Sequence, residues 1–123
     1  MTVPAISISV SQGILENDAP AFAIKIQAST FELNVWIEKE EALLLEQVKN
    51  ARWDDRRSLQ IGCSLNSPAF WSCANGEVSI LIGHDDEMWD VGVTLPEWVL
   101  DQIVSEIQAE QTAVRDRPKK RGA

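Results

Sequence analysis

The sequence predicts an α+β protein, an antiparallel sheet with two helices packed on one face, in the order β-β-β-α-β-β-β-β-α. Three observations carry this prediction. Apolar and polar residues alternate with period two along most of the chain. Asn75-Gly76, the strongest short hairpin signal, lies between two such runs. Leu100, Ile103, Val104 and Ile107 then recur at helical spacing near the C-terminus.

Residues 4–10 alternate as a half-buried strand does, and Gly13 with 16–20 has loop composition. Phe22, Ile24 and Ile26 form the next run, and Phe31, Leu33, Val35 and Ile37 the third. Parity flips between them. A turn at Ser29-Thr30 restores it by pairing Ile26 with Leu33, Ile24 with Val35 and Phe22 with Ile37; a bulge in one long strand is the alternative. From Glu38 to Trp53 a helix is expected. Glu38, Glu40 and Glu41 lie in its first turn, Lys49 and Arg52 near its end, and Leu44, Leu45, Val48 and Ala51 form its buried stripe. Asp54-Asp55 ends it.

The next four strands form a meander whose turns set its registers. A two-residue turn at Asn75-Gly76 pairs Cys73 with Val78, Trp71 with Ile80 and Ala69 with Ile82. Four turn residues at 84–87 pair Ile82 with Trp89 and Ile80 with Val91. Three loop residues at 66–68 pair Cys63 with Trp71 and Ile61 with Cys73. All three turns then put the apolar side chains of 59–93, Trp71 and Trp89 included, on one face. Trp36 falls opposite Leu33 and Val35, and Trp53 is placed to anchor or stack with Arg52 or Arg56. Thr94 and Glu97 have capping-box spacing and open the last helix.

The 123 residues suit one domain, and the organisation read here is residues 1–114 as a single α+β domain with 115–123 as a basic disordered tail. No apolar run spans a bilayer and no secretory signal is visible, which places the chain in the cytoplasm. Cys63 and Cys73 then read as small core hydrophobes. The whole chain carries −8. Taking away the tail's five basic residues and one acid leaves 6 basic and 18 acidic groups, a net of −12. Such a field repels nucleic acid and anionic membrane and speeds association with cationic partners.

No catalytic motif accompanies this charge. His84, the only histidine, has no neighbouring nucleophile in sequence, and there is no phosphate-binding glycine loop, CxxC or HExxH. Neither a catalytic residue nor a cofactor is expected. His84, Asp85, Asp86, Glu87 and Asp90 offer oxygen and nitrogen donors, but without the alternation of a calcium loop; a solvated acidic turn accounts for them and no metal is assigned.

The second face of the meander is more informative. The same registers set Phe70 opposite Ser64 and Leu81, and Leu81 opposite Asp90, among Gly62, Ser72, Ser79, Gly83, Met88, Gly92 and Thr94. A small apolar centre edged by Asp85, Asp86, Glu87 and Asp90 has the organisation of a protein interface. The N-terminal strands or a loop folded over it would instead make Phe70 and Leu81 a satellite core. The partner-binding candidates are therefore Phe70, Leu81, Asp85, Asp86, Glu87, Met88 and Asp90.

The stretches from Ala51 to Gly62, Pro68-Ala69-Phe70-Trp71, and Ile80 to Asp90 resemble small acidic bacterial immunity proteins of toxin–immunity pairs. The resemblance implies a protein that neutralises a cognate toxin, with a basic nuclease domain as the electrostatically matched partner, by occluding its active site. No enzyme activity and no nucleic-acid or membrane partner are expected, in a chain acting as a monomer or weak homodimer. A secretion chaperone or adaptor for an effector protein is the alternative; such proteins usually open with a helix, whereas this chain opens with strands.

Overall fold

A computed structural model describes residues 5–116. Seven strands form one antiparallel meander in sequence order: β1 Ser7–Ile14, β2 Pro20–Gln27, β3 Glu32–Glu38, β4 Leu59–Ser64, β5 Ser67–Ala74, β6 Glu77–Gly83 and β7 Trp89–Pro96. A 3-10 helix, Glu41–Asn50, and a short one, Trp53–Asp55, lie between β3 and β4, and α1 spans Trp98–Asp116. The expected α+β class and strand order are therefore present. The basic tail beyond Asp116 lies outside the described residues; Arg115 and Asp116 close α1.

One core sits between the sheet and the helices. Phe22, Ile24, Val35, Ile37, Ile61, Trp71, Val78 and Ile80 from the sheet pack with Leu45 and Val48 of the 3-10 helix and Val99, Leu100 and Ile103 of α1. Both helices thus cover the same face. At about 25 cal/mol per Å2 of apolar area, this burial is the dominant favourable contribution to the fold.

The hairpins with local turn signals take the expected registers. Ile26 pairs with Leu33, Ile24 with Val35 and Phe22 with Ile37, so the turn at Ser29-Thr30, not a bulge, reverses the chain. Ala28 N–H donates to the Phe31 carbonyl at 2.9 Å to close it. Cys73 pairs with Val78, Trp71 with Ile80 and Ala69 with Ile82. Asn75 and Gly76 both have positive φ, 53° and 79°, as the primed hairpin turn requires.

Five expectations change. Gly13 belongs to β1 and not to a loop, and the chain turns at 15–19, where Asn17 Oδ1 accepts from Ala19 N–H at 3.0 Å. The helix expected over 38–53 is a 3-10 helix. Its buried residues Ala42, Leu45 and Val48, continued by Ala51, repeat every three residues, the period of that helix; Leu44, assigned to the stripe, is exposed. Thr94 does not cap α1. It lies in β7 opposite Ser79, with the two hydroxyls 3.2 Å apart, and the Glu97 carbonyl accepts from Leu100 N–H at 3.0 Å as α1 begins.

The other two changes are register shifts. At β4–β5 the turn is Leu65-Asn66, so Ser64 pairs with Ser67 and Cys63 with Pro68; past a bulge, Leu59, not Cys63, pairs with Trp71. Cys63 therefore leaves the core face, and Leu65 is 93% exposed. Cys73 is buried as expected. At β6–β7 Ile82 pairs with Val91 and Ile80 with Val93, two residues along from the expected register, and a further irregularity sets Gly83 opposite Trp89. Val93 still packs on the core, but Trp89 moves to the opposite face.

The β4 bulge depends on Gly62. Its φ is +73°, and a Cβ there would collide with the Trp36 carbonyl oxygen and lie 2.8 Å from Ile37 Cγ1. The Gly62 N–H donates to Glu41 Oε2 at 3.1 Å, while Glu41 Oε1 accepts from Glu38 N–H at 3.1 Å. Gly76 also has positive φ, but a Cβ there meets nothing within 4 Å. Gly62→Ala should therefore lower stability by about 2–5 kcal/mol, the αL cost plus the overpacking cost, and Gly76→Ala by only about 1–2 kcal/mol. Urea unfolding of both variants measures the difference; equal losses would show that the clash at Gly62 relaxes freely.

Candidate functional site

The face of the sheet turned away from the helices begins with residues that alternate against the core. Ala23, Trp36, Cys63 and Pro68 stand in one cross-strand row, and Gln60, Phe70, Leu81 and Gly92 in another. Phe70 thus lies opposite Gln60 rather than Ser64, and Leu81 opposite Gly92 rather than Asp90. Two tryptophans lie over glycines here. A Cβ on Gly13 would sit 2.8 Å from the Trp36 ring, and one on Gly92 would sit 2.8 Å from the Trp89 ring and 3.2 Å from Leu81 Cδ2. Indole over a bare glycine backbone restores the apolar contact the missing side chain cannot make.

The β6–β7 turn leans across β5. Ser58, just before β4, donates its hydroxyl to Asp86 Oδ2 at 2.8 Å, and an Arg56 guanidinium nitrogen stands 3.9 Å from Glu87 Oε2. Arg56 itself lies over the Trp53 ring, 4.0 Å from its centroid, which settles the stacking partner of Trp53. This loop bridge and the Trp89 indole close over the middle of the face. Leu81 is only 7% exposed and Ser72 is buried, while Phe70 is half-buried. Phe70 and Leu81 are brought together as the registers require, but Leu81 is the floor of a satellite core and not a contact surface.

The acids of the turn divide into two kinds. Asp85 Oδ1 accepts from the backbone N–H groups of Glu87 at 2.8 Å and Met88 at 2.6 Å, and Oδ2 stands 3.2 Å from His84 Nδ1. The backbone donors first, and His84 after them, hold the Asp85 carboxyl below the ordinary carboxylate range. Asp85 shapes the turn and Asp86 ties it to Ser58. Glu87 and Asp90 are exposed, and among the described residues the Glu87 carboxylate makes only the long contact with Arg56. They are the acids most open to a partner.

Beside them runs the least protected apolar segment of the sheet. Every residue from Glu87 to Gly92 is exposed. Met88 is 69%, Trp89 46% and Val91 49% exposed. Trp89 and Val91 were not among the residues picked out from the sequence. The bulge that turns Trp89 to the outer face leaves no mark in the alternation, and Val91 reads as core by parity.

Elsewhere the chemistry is sparse. Among the described residues no group of three His, Cys, Asp or Glu side chains converges as around a metal ion, and none of the helices is long and apolar enough to cross a membrane. The His84 side chain is largely in solvent. Both cysteines are free, and burial, ahead of the neighbouring carboxylates, raises their thiol pKa values, which disfavours a reactive thiolate. An open cleft of about 450 Å3 runs between the end of the 3-10 helix and the loop bridge, lined by Asn50, Arg56, Arg57, Ser58 and Asp86 among others. A smaller one of about 240 Å3 lies where Lys49 Nζ meets Asp101 Oδ1 at 2.7 Å between the 3-10 helix and α1. The chain matches no protein-family model, and comparisons with curated proteins and with solved structures return no match.

The Asp85 geometry fixes a pH dependence. A carboxyl whose folded pKa lies below its unfolded value stabilises the fold above the unfolded pKa, and that contribution disappears as pH falls through the folded pKa. The Glu87 and Met88 amide resonances should therefore titrate together, with a midpoint below about 3.9, the value for an unperturbed aspartate. Asp85→Ala should abolish the transition and broaden residues 84–88 in NMR spectra; a midpoint at or above the unperturbed value would remove Asp85 as the organiser of the turn.

Proposed function

We propose that this chain is an immunity protein that binds a cognate bacterial toxin, of the basic nuclease kind, and neutralises it by occluding its active site. The observation that carries this reading is the exposed run Glu87–Gly92, where Met88, Trp89 and Val91 stand beside Glu87 and Asp90 on a strongly acidic protein. Large apolar side chains framed by charge are the usual composition of a protein-binding hot spot and its rim. Negative charge speeds encounter with a cationic partner and disfavours nucleic acid, so the same surface that attracts a basic nuclease does not compete for its substrate.

Of the residues assigned from the sequence, Phe70, Glu87, Met88 and Asp90 serve in this reading as contact residues. Asp85 and Asp86 act by holding the turn, and Leu81 by supporting Trp89 from below. The protein works in the cytoplasm, where its two free cysteines remain reduced. It transforms nothing itself, since inhibition needs only a surface that stays bound.

The test is direct. Mixed with the toxin domain that this reading places in the adjacent reading frame, the protein should form a stable complex and abolish the toxin's activity. Glu87→Lys with Asp90→Lys should slow association about tenfold at low salt and flatten its salt dependence, while leaving thermal stability unchanged, because neither side chain is buried. Failure to form the complex would overturn the immunity reading; unchanged association kinetics would move the binding surface away from this turn.

A further inference from the structure

We propose that β7 is a docking edge: a partner adds an extended segment of alternating aliphatic and basic residues to it as an eighth strand. This deepens the preceding reading and rests on it. The two edges of the sheet are treated differently. At β1, α1 packs alongside, and Gln12 Nε2 donates to the Glu110 carbonyl at 3.3 Å. Among the described residues β7 pairs only with β6, and α1 touches it only lightly.

Natural sheets blunt an open edge with lysine, proline, a bulge or a covering element, because its unpaired N–H and C=O groups recruit other strands. β7 contains no lysine. Its irregularity falls at the start, near Trp89, and its proline, Pro96, is the last residue. Between them Val91-Gly92-Val93-Thr94-Leu95 runs uninterrupted, about 17 Å of backbone. The side chains on its core side grade from buried Leu95 through half-buried Val93 to Val91, which is 49% exposed. The core row is thus incomplete at this corner, and aliphatic side chains of an added strand would continue it across Val91.

Charge selects the occupant. Exposed Asp90 is the second residue of the strand, exposed Glu87 precedes it, and exposed Glu77 stands opposite its far end at Pro96. A second copy of this chain would bring a net charge of −8 against −8 and set these same acids close together. A segment with lysine or arginine between its aliphatic residues has the complementary sign. Main-chain hydrogen bonds would then supply affinity, and the alternate side chains specificity.

The probe is a capped peptide, Lys-Val-Lys-Val-Lys-Val, titrated into the full-length 15N-labelled protein, with Glu-Val-Glu-Val-Glu-Val as control. Saturable shifts should appear in the amides of residues 91–95. The control should not bind, and Val91→Lys should weaken binding at least tenfold without changing the melting temperature. Shifts confined to 84–90, binding of both peptides alike, or no binding of the basic peptide would each overturn the strand-addition proposal, as would a dimer formed through β7 without peptide in sedimentation experiments. The two readings separate against the adjacent reading frame's toxin. An undiminished complex with the Val91→Lys variant sinks the edge and leaves immunity standing; peptide binding at β7 with no toxin complex does the reverse.

Discussion

The bulge at Ile61–Gly62 is the constraint on which the rest of the fold depends. Here β3 and β4 share the Trp36–Cys63 pair, and the chain must pass close to the Trp36 carbonyl, which only a residue without Cβ can do. Two side chains secure the passage. Glu41 accepts from both Glu38 and Gly62, binding the start of the 3-10 helix to the bend. On the core side the fully buried Trp71 donates its indole N–H to the Ile61 carbonyl at 2.9 Å. A carbonyl displaced from regular pairing by a bulge would be costly to bury, and the indole satisfies it. β1–β3 and β4–β7 thereby join as one sheet around one core.

That bend also explains how charge is used. The chain between the 3-10 helix and β4 does not run directly from one to the other. The Ala51 carbonyl accepts from Cys73 N–H at 2.9 Å, and residues 53–58 then loop out before β4 begins. The loop carries Arg56, Arg57 and Ser58 to the β6–β7 turn, where Ser58 holds Asp86. Half of the acidic cluster is consequently structural. The exposed pair, Glu87 and Asp90, borders the exposed apolar run of β7, so electrostatic attraction and apolar contact are concentrated at one corner of the sheet.

Both outer-face tryptophans follow one packing logic. Trp36 lies over Gly13 and Trp89 over Gly92, one toward each side of the sheet. Each covers backbone that no side chain of its own covers, and the smaller residues around them, Ala21 and Ala23 near the first and Leu81 near the second, are shielded as a result. Trp36 is itself half-buried, whereas Trp89 stays 46% exposed at the open edge. The difference is positional: Trp36 is surrounded by neighbouring strands, and among the described residues Trp89 has a neighbouring strand on one side only.

Local chemistry determined much of this in the sequence itself. Asn75-Gly76 set its hairpin register, the parity flip at Ser29-Thr30 set another, and alternation named most of the core face, Phe22, Ile24, Val35, Trp71 and Ile80 among it. Alternation, however, reports only which face a residue occupies. A register shifted by two residues leaves the pattern intact, so the Ile80–Val93 pair replaced Ile80–Val91 unseen. A bulge reverses parity for the residues beyond it, which is how Cys63 and Trp89 changed sides. The opposition of Phe70 and Leu81 was legible because a tight turn fixes it. Their covering was not, because Ser58 and Asp86 meet from 28 positions apart and no local preference records the encounter. Which acids are tied into the turn, which are exposed, and which edge α1 covers were decided only by tertiary structure, since each depends on contacts between segments distant in sequence.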